Sequence, residues 1–310
     1  MPRVVACPEE EPPITLEELV EVLNGEGFDP RDEDSFAAAG PLLRRLADNR
    51  DFLADLAIAE LKDRCARESA EARYSSQVIM LHRASEKFFI RANFWPSDRD
   101  SVLKASGASP FFYYLPHDHN FSFLTVGYMG PGYWSEYYEY DYESVVGVPG
   151  EKVDLKFVEK SRLEPGKVML YRAHQDVHNQ LPADDMSVSI NIMEATNRLA
   201  FLDQYRFDVQ KCEIAGILNR TASEALLALA ANHPAGNARD LVEDFAASHP
   251  SERIRFAALR ELAHAEGDVD AALETLAGGA ASPSRFVAGM CALEMQQLEA
   301  SRAWIKRERA

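Results

Sequence analysis

Between residues 77 and 195 the apolar residues alternate with period two, and most connections between the alternating runs are short. A parallel sheet needs crossovers of about a dozen residues or more, so these strands are expected to pair antiparallel. The pattern is clearest where Phe88, Ile90, Ala92 and Phe94 oppose Phe89, Arg91, Asn93 and Trp95. Further strands are expected at 112–116, 119–128, 133–142, 152–158, 167–178 and 186–193, between Gly and Pro turn signals. A closed or nearly closed barrel is the economical arrangement, because it satisfies strand edges and encloses a small cavity.

Helical spacing brackets this block. Thr15 caps a helix whose stripe is Leu16, Leu19, Val20 and Leu23, with Glu17 and Glu18 in its first turn. A second stripe carries Phe36, Leu42, Leu43 and Leu46, interrupted at Gly40 and Pro41, and a third runs from Phe52 through Leu56 and Leu61 to Cys65. After about residue 200 the strand run is expected to end, and helices follow through 254–262, 269–276 and 286–298. Ala-Ala-Asn-His-Pro at 230–234 is echoed by Ala-Ala-Ser-His-Pro at 246–250, which places two helix ends and makes His233 and His249 capping residues. The texture of this tail resembles HEAT-like helical pairs. The chain therefore reads as α+β: a helical region 1–76, an antiparallel barrel 77–199 and a helical domain 200–310.

Composition narrows the function classes. Fifty acidic residues against 33 basic ones give a net charge of −17, which opposes indiscriminate binding to nucleic acid or anionic membrane. No run approaches the roughly 20 apolar residues that cross a bilayer, and Glu9, Glu10 and Glu11 do not fit a signal peptide, so a cytoplasmic location is expected. The four cysteines at 7, 65, 212 and 291 are too scattered for a disulfide framework or a clustered zinc knot.

The sharpest chemistry lies in Pro-His-Asp-His-Asn at 116–120. In an extended segment His117 and His119 share a side, about 6–7 Å apart at Cα, so their imidazoles can converge on one metal. Asp118 then points the other way. Downstream, Leu-Glu-Pro-Gly-Lys-Val-Met-Leu-Tyr-Arg-Ala-His-Gln-Asp-Val-His-Asn spans 163–179. Together the two segments resemble the paired motifs of the cupin superfamily, over about residues 77–195. The resemblance implies a turn at Gly166 and a ligand set of His117, His119 and His178. His174 is the competing third ligand and otherwise a candidate substrate contact; on one continuous strand it shares a face with His178, about 13 Å away at Cα, so both line a pocket while one reaches the metal, unless a bulge or turn at Gln175 reverses the choice. Many cupins carry a Glu a few residues after the His pair, where this chain has Phe123 and Leu124. A three-histidine site of that kind resembles the thiol dioxygenases of the same superfamily.

Around these motifs the segment Gly127–Tyr142 is unusually aromatic. Trp134 and Glu136 are candidate substrate contacts, and Tyr133 and Tyr138 are candidate polar contacts beside the reaction. Asp176, between the downstream histidines, is placed for orientation or proton transfer. Arg172 anchors a substrate carboxylate if it points inward and is merely solvated if outward.

The expected function is a mononuclear non-haem Fe(II) oxygenase using dioxygen on a small polar or amino-acid-like molecule. A Zn(II)- or Mn(II)-dependent isomerase or hydrolase is the opposing enzyme, with proton transfer by Asp176, Glu136 or a metal-bound water. A metal-stabilised interaction protein that binds a partner through its C-terminal helices is the non-enzymatic alternative.

Overall fold

The computed structural model describes the chain except residues 10, 65–76, 84, 234–235 and 308–310, with only the backbone of 305–307. Glu10, Cys65 and Pro234 of the sequence reading lie outside the described residues.

The strands in chain order are β1 (Arg3–Val5), β2 (Val78–His82), β3 (Phe88–Trp95), β4 (Phe123–Met129), β5 (Trp134–Glu139), β6 (Lys156–Arg162), β7 (Val168–Tyr171), β8 (Asp176–Leu181), β9 (Ser187–Glu194), β10 (Tyr205–Asp208) and β11 (Glu213–Ile217). Four helices precede β2: α1 (Leu16–Asn24), α2 (Glu33–Ala38), α3 (Gly40–Asp48) and α4 (Phe52–Lys62). Thr15 and Glu18 form a reciprocal capping box at α1, and Pro41 sits in the first turn of α3, which starts afresh after the break at Ala39.

The chain divides into two compact units. The first comprises Met1–Tyr142, Val153–Leu199 and Gln204–Cys212. Its larger sheet has six antiparallel strands in the order β1-β7-β4-β9-β3-β2. Alternation along these strands sends two different sets of side chains to two faces. Ile90, Ala92, Leu124, Val126, Leu170, Ile190 and Ile192 pack against Leu19, Leu23, Phe36, Leu43 and Leu46 from the N-terminal helices. Trp95, Phe123, Met169, Tyr171 and Met193 face the other way and pack with Tyr133 and Tyr137. The helices are thus the cover of one sheet face. Each fully buried aliphatic chain there contributes about 1.5–3 kcal/mol.

A second, three-stranded antiparallel sheet has the order β6-β5-β8. Among the described residues no ladder joins the two sheets of this unit, so closure of the expected barrel is not detected; isolated bridges such as Tyr113↔Gln180 and His117↔His178 tie β8 to the 113–117 segment. The reason lies at residues 172–175. The expected strand 167–178 is broken there: the amides of Gln175 and Asp176 both donate to the Arg172 carbonyl, and His174 takes a left-handed φ of 59°. β7 therefore joins one sheet and β8 the other. Nor is 112–116 a strand, because Phe112 and Tyr114 both have positive φ after a 3-10 turn at Ser109–Phe111. Strand β1 and the strands after residue 200 were not anticipated. Gly166 does mark a turn, with φ 80° and its amide donating to the Gly127 carbonyl at 2.8 Å.

The second unit comprises Glu143–Lys152, Ala200–Asp203 and Glu213–Ala310. Its helices span Ala222–Asn232, Ala238–Ser248, Glu252–His264, Val269–Ala280 and Arg285–Arg307. The two echoes fall at consecutive helix ends, with His233 and His249 as C-cap residues. Inside it, buried Arg253 pairs with Asp203 and Glu224 and donates to the Ala200 carbonyl at 2.8 Å. Among the described residues no helix is long and apolar enough to cross a membrane.

Candidate metal centre

Two short backbone ladders fix the histidine segment. The His117 amide donates to the His178 carbonyl at 3.0 Å and the His178 amide donates back at 2.9 Å, so β8 carries His117 alongside His178. On the other flank the amides of Asp118 and Phe207 donate to the Tyr205 and Pro116 carbonyls at 3.1 and 2.9 Å. Asp118, wholly buried, does point away from the ring cluster, where its two carboxylate oxygens accept the Tyr205 amide and the Tyr140 hydroxyl, each at 2.6 Å. Its side chain thereby locks the loop that presents the histidines.

The structure brings His117, His119 and His178 together: one ring nitrogen of each lies within 4.8 Å of the others, and all three residues are buried. His117 Nδ1 donates to the Leu115 carbonyl at 2.6 Å, which leaves the Nε2 lone pair facing His178 Nε2, 3.3 Å away. Burial lowers the pKa of all three rings, most strongly for His119 and His178, where closeness to the other rings, and for His119 also to Arg91, opposes a second proton in the cluster. A buried Nδ1 of His119 has no hydrogen-bond partner. Three neutral imidazoles with converging lone pairs are the donor set that a borderline divalent metal takes, so the residues fit such an ion.

His174 is not part of this cluster. The turn at 172–175 carries its ring onto Tyr142, 4.0 Å between centroids, with Nδ1 3.8 Å from Asp118. What His174 gives the centre is its backbone, whose amide donates to the His119 carbonyl at 2.8 Å.

The histidines line a cavity of about 180 Å³ together with Arg91, Asn93, Trp95, Phe112, Phe121, Phe123, Tyr133, Gln180 and Asn191. Several expected contacts lie elsewhere. Arg172 neither enters the cavity nor is free in solvent: it forms two bonds of 2.8 and 3.0 Å to the Asp176 carboxylate and donates to the Met1 carbonyl. Asp176 is occupied by Arg172 and the N-terminal amine, and Glu139 by the same two groups. Trp134, Glu136 and Tyr138 sit on the opposite face of β5 from the cavity: Arg162 covers Trp134, Asn179 bonds Glu136 at 2.9 Å, and Tyr138 packs on Phe157. The inward face of that region is Tyr133, Ser135 and Tyr137, all buried. Tyr133 lines the cavity, its pKa pushed up to about 12 by burial, so its phenol donates rather than accepts protons at neutral pH.

Arg91, rather than Arg172, lines the cavity. It is part-buried, its Nε is fully buried without a partner, and no carboxylate pairs with it or lines the cavity among the described residues. Desolvation lowers its pKa to about 10, which still leaves it cationic. Beside it, Thr125 donates to Asn191 Oδ1 at 2.5 Å and Asn191 Nδ2 donates to Asn93 Oδ1 at 3.1 Å, leaving the Asn93 amide nitrogen as a donor. The signal for Arg91 was present in the sequence: it shares a face of β3 with Phe89, Asn93 and Trp95, opposite an all-apolar face.

No protein-family model matches the chain, and no curated protein is similar to it by sequence. Among solved structures, the DMSP lyase DddQ from Ruegeria pomeroyi DSS-3 is similar at 8% identity and a TM-score of 0.24, over 64% of this chain and 82% of that one. A 7S globulin from Momordica charantia is similar at 15% identity and a TM-score of 0.22, over 43% of this chain and 38% of that one. Vicilin from hazelnut, Corylus avellana, is similar at 11% identity and a TM-score of 0.21, over 42% and 34%. Likenesses this slight decide nothing about this chain, and its chemistry is read from its own residues.

Proposed function

We infer that the chain is a cupin-like mononuclear metalloenzyme, a non-haem Fe(II) oxygenase acting on a small polar or amino-acid-like carboxylate. The observation that carries this reading is the pairing, in one small cavity, of three converging neutral imidazoles with a cation that has no carboxylate partner among the described residues. His117, His119 and His178 would hold the ion, and an all-neutral donor set preserves its positive charge and leaves positions open. Fe(II) would supply the dioxygen chemistry that protein side chains lack.

The chain's own residues do the rest. Arg91 binds the carboxylate and Asn93 donates a second hydrogen bond, which orients the substrate beside the histidines. Phe112, Phe121 and Phe123 line the space with apolar rings that exclude water, and Tyr133 offers a protonated hydroxyl. In the Zn(II) or Mn(II) isomerase or hydrolase reading the carboxylates Asp176 and Glu136 are engaged outside the cavity, so proton transfer would fall to a metal-bound water.

The test is anaerobic reconstitution of the purified protein with Fe(II), Zn(II) or Mn(II), followed by an oxygen-consumption screen with amino acids, thiols and small carboxylates. Uptake that requires iron and is stimulated by one of these compounds is the expected result. Turnover that persists unchanged without oxygen selects the isomerase or hydrolase instead.

A further inference from the structure

A second, larger space of about 1250 Å³ opens next to the histidine cavity, lined by Phe28, Pro30, Phe89, Phe121 and a rim that includes Glu26 and Glu86. Phe121 lines both spaces, and its ring lies 5.0 Å from that of His119. Strand β3 runs from one to the other. Its inward residues are Phe89 in the outer cleft, then Arg91, Asn93 and Trp95 in the inner cavity, and successive same-face residues are only about 7 Å apart.

The charges of the cleft are partly paired within the protein. Asp29 pairs with Arg31 at 2.8 Å and Glu194 with Arg198 at 3.4 Å, while Lys87, bonded to the carbonyls of Gly25 and Phe28, stays cationic beside Glu26 and Glu86. What a ligand meets is an aromatic and proline floor behind a rim of net negative charge. That rim repels a carboxylate, whereas Arg91 attracts one inside, so the charge pattern sets the direction of an entering molecule.

We propose that the cleft floored by Phe28, Pro30, Phe89 and Phe121 is a second subsite, which holds the apolar tail of an elongated carboxylate whose head lies between Arg91 and the histidines. This rests on the metal-site reading above and adds the substrate class: an aliphatic or aromatic acid too long for a cavity of about 180 Å³ alone. Phe121 is the partition the tail passes, and Phe89 is the first ring it meets outside.

The experiment uses the full chain loaded with Co(II), whose visible absorption reports on ligands near the histidines, titrated with acetate, butanoate, hexanoate and octanoate. Affinity is expected to rise about three- to fourfold per methylene through octanoate. In Phe89→Ser the rise with chain length should flatten while acetate affinity stays, and in Arg91→Met every acid should weaken by a similar factor. Affinity that levels off or falls after butanoate in the wild-type chain overturns the second subsite and leaves the metal site standing. Failure of Co(II) to bind, or of any acid to perturb its spectrum, overturns the metal-site reading and this inference together.

Discussion

The Nε2 atoms of His117 and His178 face each other at 3.3 Å, although the residues are 61 positions apart in the chain. The His117 side of this pair is held by the bond from Nδ1 to the Leu115 carbonyl, and the His178 side by the β5–β8 pairing in which it sits opposite Tyr137. Replacing His117, His119 or His178 with Ala should lower divalent-metal affinity about 100-fold or more, because each removes one of three donors. His174→Ala should retain metal within a few-fold, since only its backbone touches the centre. Metal content after dialysis against a weak chelator measures both, and loss in His174→Ala with retention in His178→Ala would sink the ligand assignment.

Asp118 extends the same logic to a residue that does not face the ion. Asp118→Ala removes both acceptors that tie the loop to Tyr140 and Tyr205. It should weaken metal binding by about tenfold while leaving the number of bound ions at one, whereas Asp118→Asn should recover part of the loss. Titration calorimetry with Co(II) separates a weakened site from a vanished one.

Arg91 lines the histidine cavity, and Arg172, the arginine singled out from the sequence, is paired with Asp176 outside it. Arg91→Met should cost about 1.5–3 kcal/mol in carboxylate binding, the range for a hydrogen bond to a charged partner. Arg172→Met should leave that binding unchanged and instead lower stability, because it removes one of the two counter-charges of wholly buried Asp176. Equal effects of the two variants on ligand affinity would contradict the placement of Arg91.

The buried imidazoles give the metal-free protein a definite pH dependence. Their folded-state pKa values lie below the ordinary value of about 6.5, so on acidification the unfolded chain takes up protons first. Their contribution to stability is intact above about pH 6.5 and is lost as pH falls toward the folded values, by at most about 1.4 kcal/mol per pH unit for each ring. The urea midpoint measured from pH 8 to pH 5 should therefore fall, and His178→Phe should fall less steeply. Parallel curves for the two proteins would show that His178 is not buried neutral.

The helix-covered sheet face carries its own test. Ile190 is wholly buried between the sheet and the N-terminal helices, so Ile190→Ala should destabilise the first unit by about 2–5 kcal/mol. The change should appear in the denaturation midpoint without altering the metal stoichiometry. A shift below about 0.5 kcal/mol would mean that the helices do not seal this face.

Much of the architecture was legible because it depends on local periodicity. Alternation at Phe88–Trp95 separates the two faces of β3 without any neighbour being known, and Thr15 and Glu18 cap α1 through contacts three residues apart. The His-x-His pair is also local, and its spacing alone suggested a shared target. The break between β7 and β8 was harder to see. It depends on a four-residue turn closed by Arg172 and Asp176, while the flanking residues read as one strand. The same turn that removes His174 from the centre lets β8 bring His178 to His117.

The sequence by itself therefore determined which residues share a face, where the helices begin, and that two histidines two positions apart address one point. Only the tertiary structure decided which face of each strand points inward, and with it that Arg91 rather than Arg172, and Tyr133 rather than Tyr138, meets the cavity. The physical reason is that alternation is a property of a single backbone, whereas inside and outside are assigned by what packs against it. The N-terminal helices cover the apolar face of β3 and so turn its one arginine toward the histidines.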